Sequence, residues 1–176
     1  MKRQIRKWLP SLLSLGLLLN SPLVQALEEQ TVLAALALNI VRFTTWPAEA
    51  GIKESINFCV VGDNVVQQAF ASIDSKAVGN QALKIINLSR LSNFEQCHVL
   101  YISELKQNVL LQVFVELKKH PLLTIGEGAD FAVQGGMVGL ENVNDKINLH
   151  INLPVVRESN LNISSRLLKL AKIIGN

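Results

Sequence analysis

Cysteine and histidine are scarce in this chain: two of one and three of the other among 176 residues. His98, His120 and His150 are scattered, without the close spacings that bring ligands onto one metal ion. His98 lies beside an apolar run, His120 precedes Pro121, and His150 sits on the wet side of an alternating strand pattern. No G-x-S-x-G, H-E-x-x-H or P-loop occurs, so these hydrolase, metalloprotease and nucleotidase signatures are missing. No catalytic residue, metal or cofactor is expected. A second long apolar run is also missing, and nothing past the amino terminus approaches the roughly 20 apolar residues of a membrane helix. Repeats and low-complexity linkers are absent.

The amino terminus is distinctive. "MKRQIRK" carries Lys2, Arg3, Arg6 and Lys7, the apolar "WLPSLLSLGLLL" follows, and "NSPLVQA" ends with small residues at Val24 and Ala26. This is the pattern of a secretory leader, residues 1–26, cut after Ala26 for export to the periplasm. No cysteine follows the apolar run, which argues against a lipoprotein. The leader also explains the charge. The whole chain has 17 basic and 14 acidic residues, a net +3. Four basic residues and no acidic ones lie in the leader, so the remainder is 13 minus 14, or −1. No basic stripe is left for nucleic acid. Residues 27–176 are long enough for one domain with one core.

Along that domain, "EQTVLAALALNIVR" (29–42) reads as a mostly buried helix ended by "FTTWP". "INFCVVG" is β-branched without alternation, as in a strand buried on both faces. Asp63 can cap a helix that turns Val66, Phe70 and Ile73 inward. "LKIINLS", "HVLYIS" and "PLLTIGEG" are further strand candidates. Between the last two, Ser103 is the expected cap of an amphipathic helix with Leu105, Val109, Leu110, Val113, Phe114 and Leu117 inward. "GGMVGLENV" and "KINLHINL" flank Asn144-Asp145, a hairpin turn. In the second arm Ile147, Leu149, Ile151 and Leu153 face the core, and Asn148, His150 and Asn152 face water. From about residue 162 the spacing predicts a closing helix, with Ile163, Leu167, Leu170, Ala171 and Ile174 as its stripe and Arg166, Lys169 and Lys172 as its polar side. The expected fold is an α/β three-layer sandwich: a mixed, mostly parallel sheet with a C-terminal antiparallel hairpin, flanked by helices.

"GEGADF" superficially suggests a dinucleotide loop. Phe131 stands where the third glycine belongs and no acidic residue closes a later strand, so a turn is the better reading. The two cysteines say more. In an oxidising compartment a pair tends to close. Cys59 lies in the first long strand and Cys97 just before the third. If the intervening strand takes an outer position, those two strands are neighbours, within the roughly 7 Å that a bridge requires. Two buried free thiols are the alternative.

Several stretches, in order, resemble the YfiR family of periplasmic proteins: "VLAALALNIVRFTTWPAEA", "FCVVGDN", "CHVLYIS", "LLTIGEGADFAVQGGMVGLENVNDKINLHINL" and "SSRLLKLAK". The resemblance covers essentially the whole chain after the leader. It rests most on Phe43-x-x-Trp46-Pro47, the Cys59 and Cys97 contexts, Gly135-Gly136-Met137 and Ser165-Arg166-Leu167-Leu168-x-Leu170-Ala171. It implies a mixed α/β sandwich, often dimeric, without catalytic activity. Members of known role repress a membrane diguanylate cyclase through its periplasmic sensor region. An outer-membrane lipoprotein can withdraw them, which raises cyclic-di-GMP and favours biofilm. Two departures stand out. The second cysteine pair of the best-known members has no counterpart after Cys97, so control through that pair cannot operate. The helix before Trp46 has Ala37 and Leu38 where an aromatic is common, which alters any dimer seam built there.

Two kinds of site follow. For a regulator that binds a protein partner, Trp46, if exposed at the end of its helix, and Arg166 are the candidate contacts, since aromatic anchors dominate interfaces; the alternatives are a core Trp46 that closes the helix end and an Arg166 on a solvated face. For a small-molecule sensor, the candidate pocket lies at the carboxyl ends of the parallel strands, around Gly62, Asp63, Ser103 and Glu127.

Overall fold

The computed structural model describes residues 22–91, 93–144 and 146–175. The leader reading falls chiefly on residues outside these. The described chain runs as α1 (Pro22–Arg42), β1 (Thr44–Thr45), β2 (Ser55–Val61), α2 (Asn64–Ala71), β3 (Ala77–Val78), β4 (Gln81–Asn87) and β5 (Val99–Ile102). It continues as α3 (Gln107–Glu116), β6 (Leu123–Glu127), α4 (Ala129–Val133), β7 (Val138–Val143) and β8 (Lys146–Asn152). It closes with α5 (Leu153–Glu158), β9 (Asn162–Ile163), α6 (Ser165–Leu168) and β10 (Ala171–Ile174).

An eight-stranded sheet has the order β10-β8-β7-β6-β5-β2-β4-β3. All neighbours are parallel except β7 with β8 and β3 with β4. It is therefore a mixed, mostly parallel sheet with an antiparallel hairpin, as expected. The central strand β2 reads as one apolar run because both its faces are covered. On one face Ile56, Phe58 and Val60 pack with Leu33, Ala37 and Val41 of α1 and with Val66 and Phe70 of α2. On the other, Cys59 packs with Leu100, Val113 and Leu117 toward α3, and with Phe131 of α4. Three layers result. Asp63 caps α2 as expected, its Oδ1 accepting from the backbone N–H of Val65 and Val66 at 2.9 and 3.0 Å.

Cys59 and Cys97 form a disulfide with Cα atoms 5.8 Å apart. β4 takes the outer side of β2 and leaves its inner side to β5, where Phe58 sits opposite Val99.

Four expectations need correction. The closing helix from 162 does not form. Ile163 instead pairs with Thr44, Ser164 caps a four-residue helix, and Ala171–Ile174 lies parallel to β8 as an edge strand. Leu170 is 78% exposed, so the supposed stripe has no continuous apolar face. The β-branched pair Ile173-Ile174 favours the extended state, and the sheet offers it a partner. Ser103 does not cap α3. Its N–H still donates to the Val61 carbonyl, which holds residue 103 in the strand register, and α3 begins after Lys106 without a side-chain cap. Leu105 therefore precedes the helix. On the His150 side of β8 Asn148 is exposed as expected, but His150 and Asn152 are not wet, because α4 lies across β7 and β8. His150 is 4% exposed with its Nε2 2.9 Å from the Glu141 carboxylate, and Asn152 donates to the Ala132 carbonyl at 2.8 Å. Finally, α1 is longer than expected and buries residues only from Leu33 to Val41. It stops at Arg42, where the Thr44 hydroxyl donates to the Ile40 carbonyl at 2.8 Å, before the influence of Pro47 is felt.

The disulfide closes a loop with a sequence separation of 38 residues, which on the chain-entropy account stabilises the fold by about 4 kcal/mol. Cys59→Ser should lower the melting temperature by about 10 °C. The double Cys59→Ser, Cys97→Ser variant should fall no further than the worse single variant. Calorimetry of the three proteins checks this.

Candidate functional site at the carboxyl edge of the sheet

The chain leaves β2 toward β4 on one side, then returns to build β5 on the other. The helices after these strands pack on opposite faces, α2 in one core and α3 in the other. Such a switch point opens a crevice beyond the carboxyl ends of the two strands, the usual ligand position in open α/β sheets. Here it is a cleft of about 530 Å³. Gly62, Asp63, Ser103 and Glu127 all line it, so the structure brings the four predicted pocket residues together. Gly62 is required there, because a Cβ would come within 2.7 Å of the Val66 side chain where α2 folds back over β2.

Two walls were not foreseen. α1 contributes Glu29 and Gln30, and the segment after β5 contributes Glu104. The Glu28-Glu29-Gln30 cluster at the start of an otherwise apolar helix was the available signal. Nothing local in the sequence reveals that this helix lies over strand ends almost a hundred residues away.

Four carboxylates, from Glu29, Asp63, Glu104 and Glu127, face the cleft, with no lysine, arginine or histidine among its lining residues. Asp63 also occupies the α2 terminus, where an anion would otherwise find free N–H groups. The cleft therefore favours a cationic or neutral hydrogen-bonding molecule over an anion. At its floor the Tyr101 hydroxyl donates to Glu127 Oε1 at 2.9 Å, and Gln30 Nε2 donates to the same oxygen at 3.2 Å. The Gln30 carbonyl oxygen is buried without a partner. Burial first, and the Glu127 charge second, push the Tyr101 phenol far above its ordinary range. No histidine lies near Ser103 in this cleft to act as its base, and no set of three metal-ligating side chains converges among the described residues.

The "GEGADF" stretch resolves structurally. Phe131 turns back onto Gly126, where a Cβ would collide with its ring.

The predicted contact residues lie away from the cleft. Trp46 is half-buried rather than exposed at a helix end, and its indole N–H donates to the His98 carbonyl at 3.1 Å. Arg166 is exposed on α6. The β1–β9 ribbon joins the two segments, with Thr45 opposite Asn162. The structure does not unite Trp46 and Arg166 in one pocket.

The sequence matches the YfiR/HmsC-like family over residues 30–172, which takes in the cleft except Ala26 and Glu29, the disulfide and every strand of the large sheet but the last two residues of β10. This chain belongs to the YfiR/HmsC-like family. The family is regulatory and non-catalytic, and its members are periplasmic regulators of diguanylate cyclase signalling. No helix among the described residues is long and apolar enough to cross a membrane.

Tyr101 is the single tyrosine of the chain, which makes its buried phenol directly measurable. An unfolded tyrosine ionises near about pH 10. The raised folded value favours the neutral phenol in the native state, so stability falls as pH rises above that point. Tyrosinate absorbance should therefore appear only together with loss of the circular dichroism signal. In Glu127→Gln, where the repelling charge is gone, it should begin at lower pH if the fold survives. Parallel absorbance and dichroism titrations test both.

Proposed function

We propose that the chain is exported with a leader at residues 1–26 removed, leaving a single domain, 27–176, that acts in the periplasm without catalysing a reaction. It inhibits a membrane-bound diguanylate cyclase by binding the cyclase's periplasmic sensor region, which lowers cyclic-di-GMP and restrains biofilm formation. The observation that carries this reading is the family match itself, which runs from residue 30 to residue 172. Trp46 and Arg166 are the proposed contacts. A homodimer is the proposed working form, and an outer-membrane lipoprotein the proposed antagonist that withdraws it.

A second reading, a periplasmic sensor of a small molecule, is favoured by one specific observation. Gly62, Asp63, Ser103 and Glu127 come from the carboxyl ends of three strands, β2, β5 and β6, and line one cleft. The two readings are compatible if occupancy of the cleft modulates the partner surface.

Deleting the gene should raise cellular cyclic-di-GMP, and the wild-type copy should restore it. Arg166→Glu reverses an exposed charge outside the core, so it should fold normally yet fail to restore the level. An unchanged cyclic-di-GMP level in the deletion strain, with no cyclase co-purifying, would remove the repressor reading.

A further inference from the structure

The cleft at the carboxyl edge of the sheet is short of donors. Gln30 and Gln67 supply its side-chain N–H groups. Both amide nitrogens are engaged within the protein, Gln30 Nε2 with Glu127 at 3.2 Å and Gln67 Nε2 with the Gly62 carbonyl at 3.0 Å. The Tyr101 hydroxyl is given to Glu127 as well, and the N–H groups of Val65 and Val66 go to Asp63. The hydroxyls of Ser89 and Ser103 can turn either way.

Acceptors are in excess. Glu29 accepts from Asn142 at 2.7 Å, and Glu127 accepts through Oε1. Among the described residues no protein donor reaches Glu127 Oε2 or the Glu104 carboxylate. The one ion pair among those residues, His150 with Glu141, lies elsewhere. The Gln30 carbonyl oxygen is a separate sign. It is enclosed and finds no donor, whereas buried acceptors are ordinarily paired. A donor that enters beside Glu127 can meet it after a small rotation of the amide.

Several ligand classes fit poorly. An anion meets four carboxylates. A bare metal ion finds no three ligating side chains together among the described residues. A quaternary ammonium has no N–H to give and no aromatic face among the lining residues to rest on. We propose that the cleft binds a small aliphatic diamine, whose ammonium N–H groups are shared among Glu127, Glu104 and the Gln30 carbonyl. This inference rests on the sensor reading of the cleft and adds the chemistry of the ligand. Two charged ends suit the site because its carboxylates stand on different walls: Glu29 on α1, Asp63 before α2, Glu104 after β5 and Glu127 at the end of β6. The alkyl middle has Val61, Val65, Val66 and Leu88 to lie on. A space of about 530 Å³ is of the size that small-molecule sites have.

Calorimetric titration of the exported protein with 1,4-diaminobutane tests this. One molecule should bind per chain, with an affinity that falls as salt is raised. Butane-1,4-diol, tetramethylammonium, succinate and calcium should each bind at least about tenfold more weakly. Glu104 is exposed, so Glu104→Gln should fold, and it should weaken diamine binding about fivefold. Gln30→Leu leaves the charge unchanged and should weaken binding by about the same factor. A diffuse attraction to an acidic surface would not register that change. Tetramethylammonium that binds as well as the diamine overturns the proposal, as does a folded Gln30→Leu variant with wild-type affinity. If Gln30→Leu does not fold, Glu104→Gln decides, and an unchanged affinity there refutes the site. Binding of the diol, succinate or calcium in place of the diamine also refutes it but leaves the sensor reading standing. No binding by any of these probes removes both.

Discussion

The parallel seam between β2 and β5 is the constraint on which the rest of the molecule depends. Phe58, Cys59, Val60 and Val61 lie opposite Val99, Leu100, Tyr101 and Ile102. Every one of the eight except Val61 is buried to within 2% exposure. Because these side chains alternate between two separate cores, the seam sets the depth of both helix layers at once. It also sends the chain in opposite directions from its two carboxyl ends, which opens the cleft. At its amino end the same seam presents Asn57 to His98. Misplacing β5 by one residue would exchange the two cores' side chains.

Much of this was legible in the sequence, for a physical reason. A central parallel strand must be apolar on both faces, so "INFCVV", "VLYI" and "LTIG" announced themselves by composition alone. An aspartate before an apolar helix has one dominant use, and Asp63 serves it. Four cleft residues could be named because the carboxyl ends of parallel strands are where open α/β sheets bind ligands, whatever the sequence. The same logic located the disulfide, which follows from strand order and compartment.

What escaped was decided by contacts remote in sequence. Residues 162–174 match a helical spacing, yet two other strands, β1 and β8, claim their backbone, and ladder hydrogen bonds outweigh a weak propensity. His150 alternates with apolar neighbours as a solvated residue would. α4 covers the His150 and Asn152 end of that face, which no local pattern reports. Glu29 and Gln30 became cleft walls because α1 crosses the sheet toward Glu127. Ser103 has the chemistry of a cap, but its N–H was already engaged by Val61.

The two ends of the seam differ in how they can respond to the environment. The disulfide is enclosed, Cys59 at 0% and Cys97 at 5% exposure, among Phe94, Leu100 and Leu117. A reductant reaches it only by opening the sheet, so the bridge acts as a staple, and the end of the sheet it anchors is rigid on the side of Cys97. The cleft end has the converse character. Its carboxylates face solvent, and its floor is a neutral phenol locked to Glu127. It is suited to answering a molecule, and the disulfide end to holding the two strands in register.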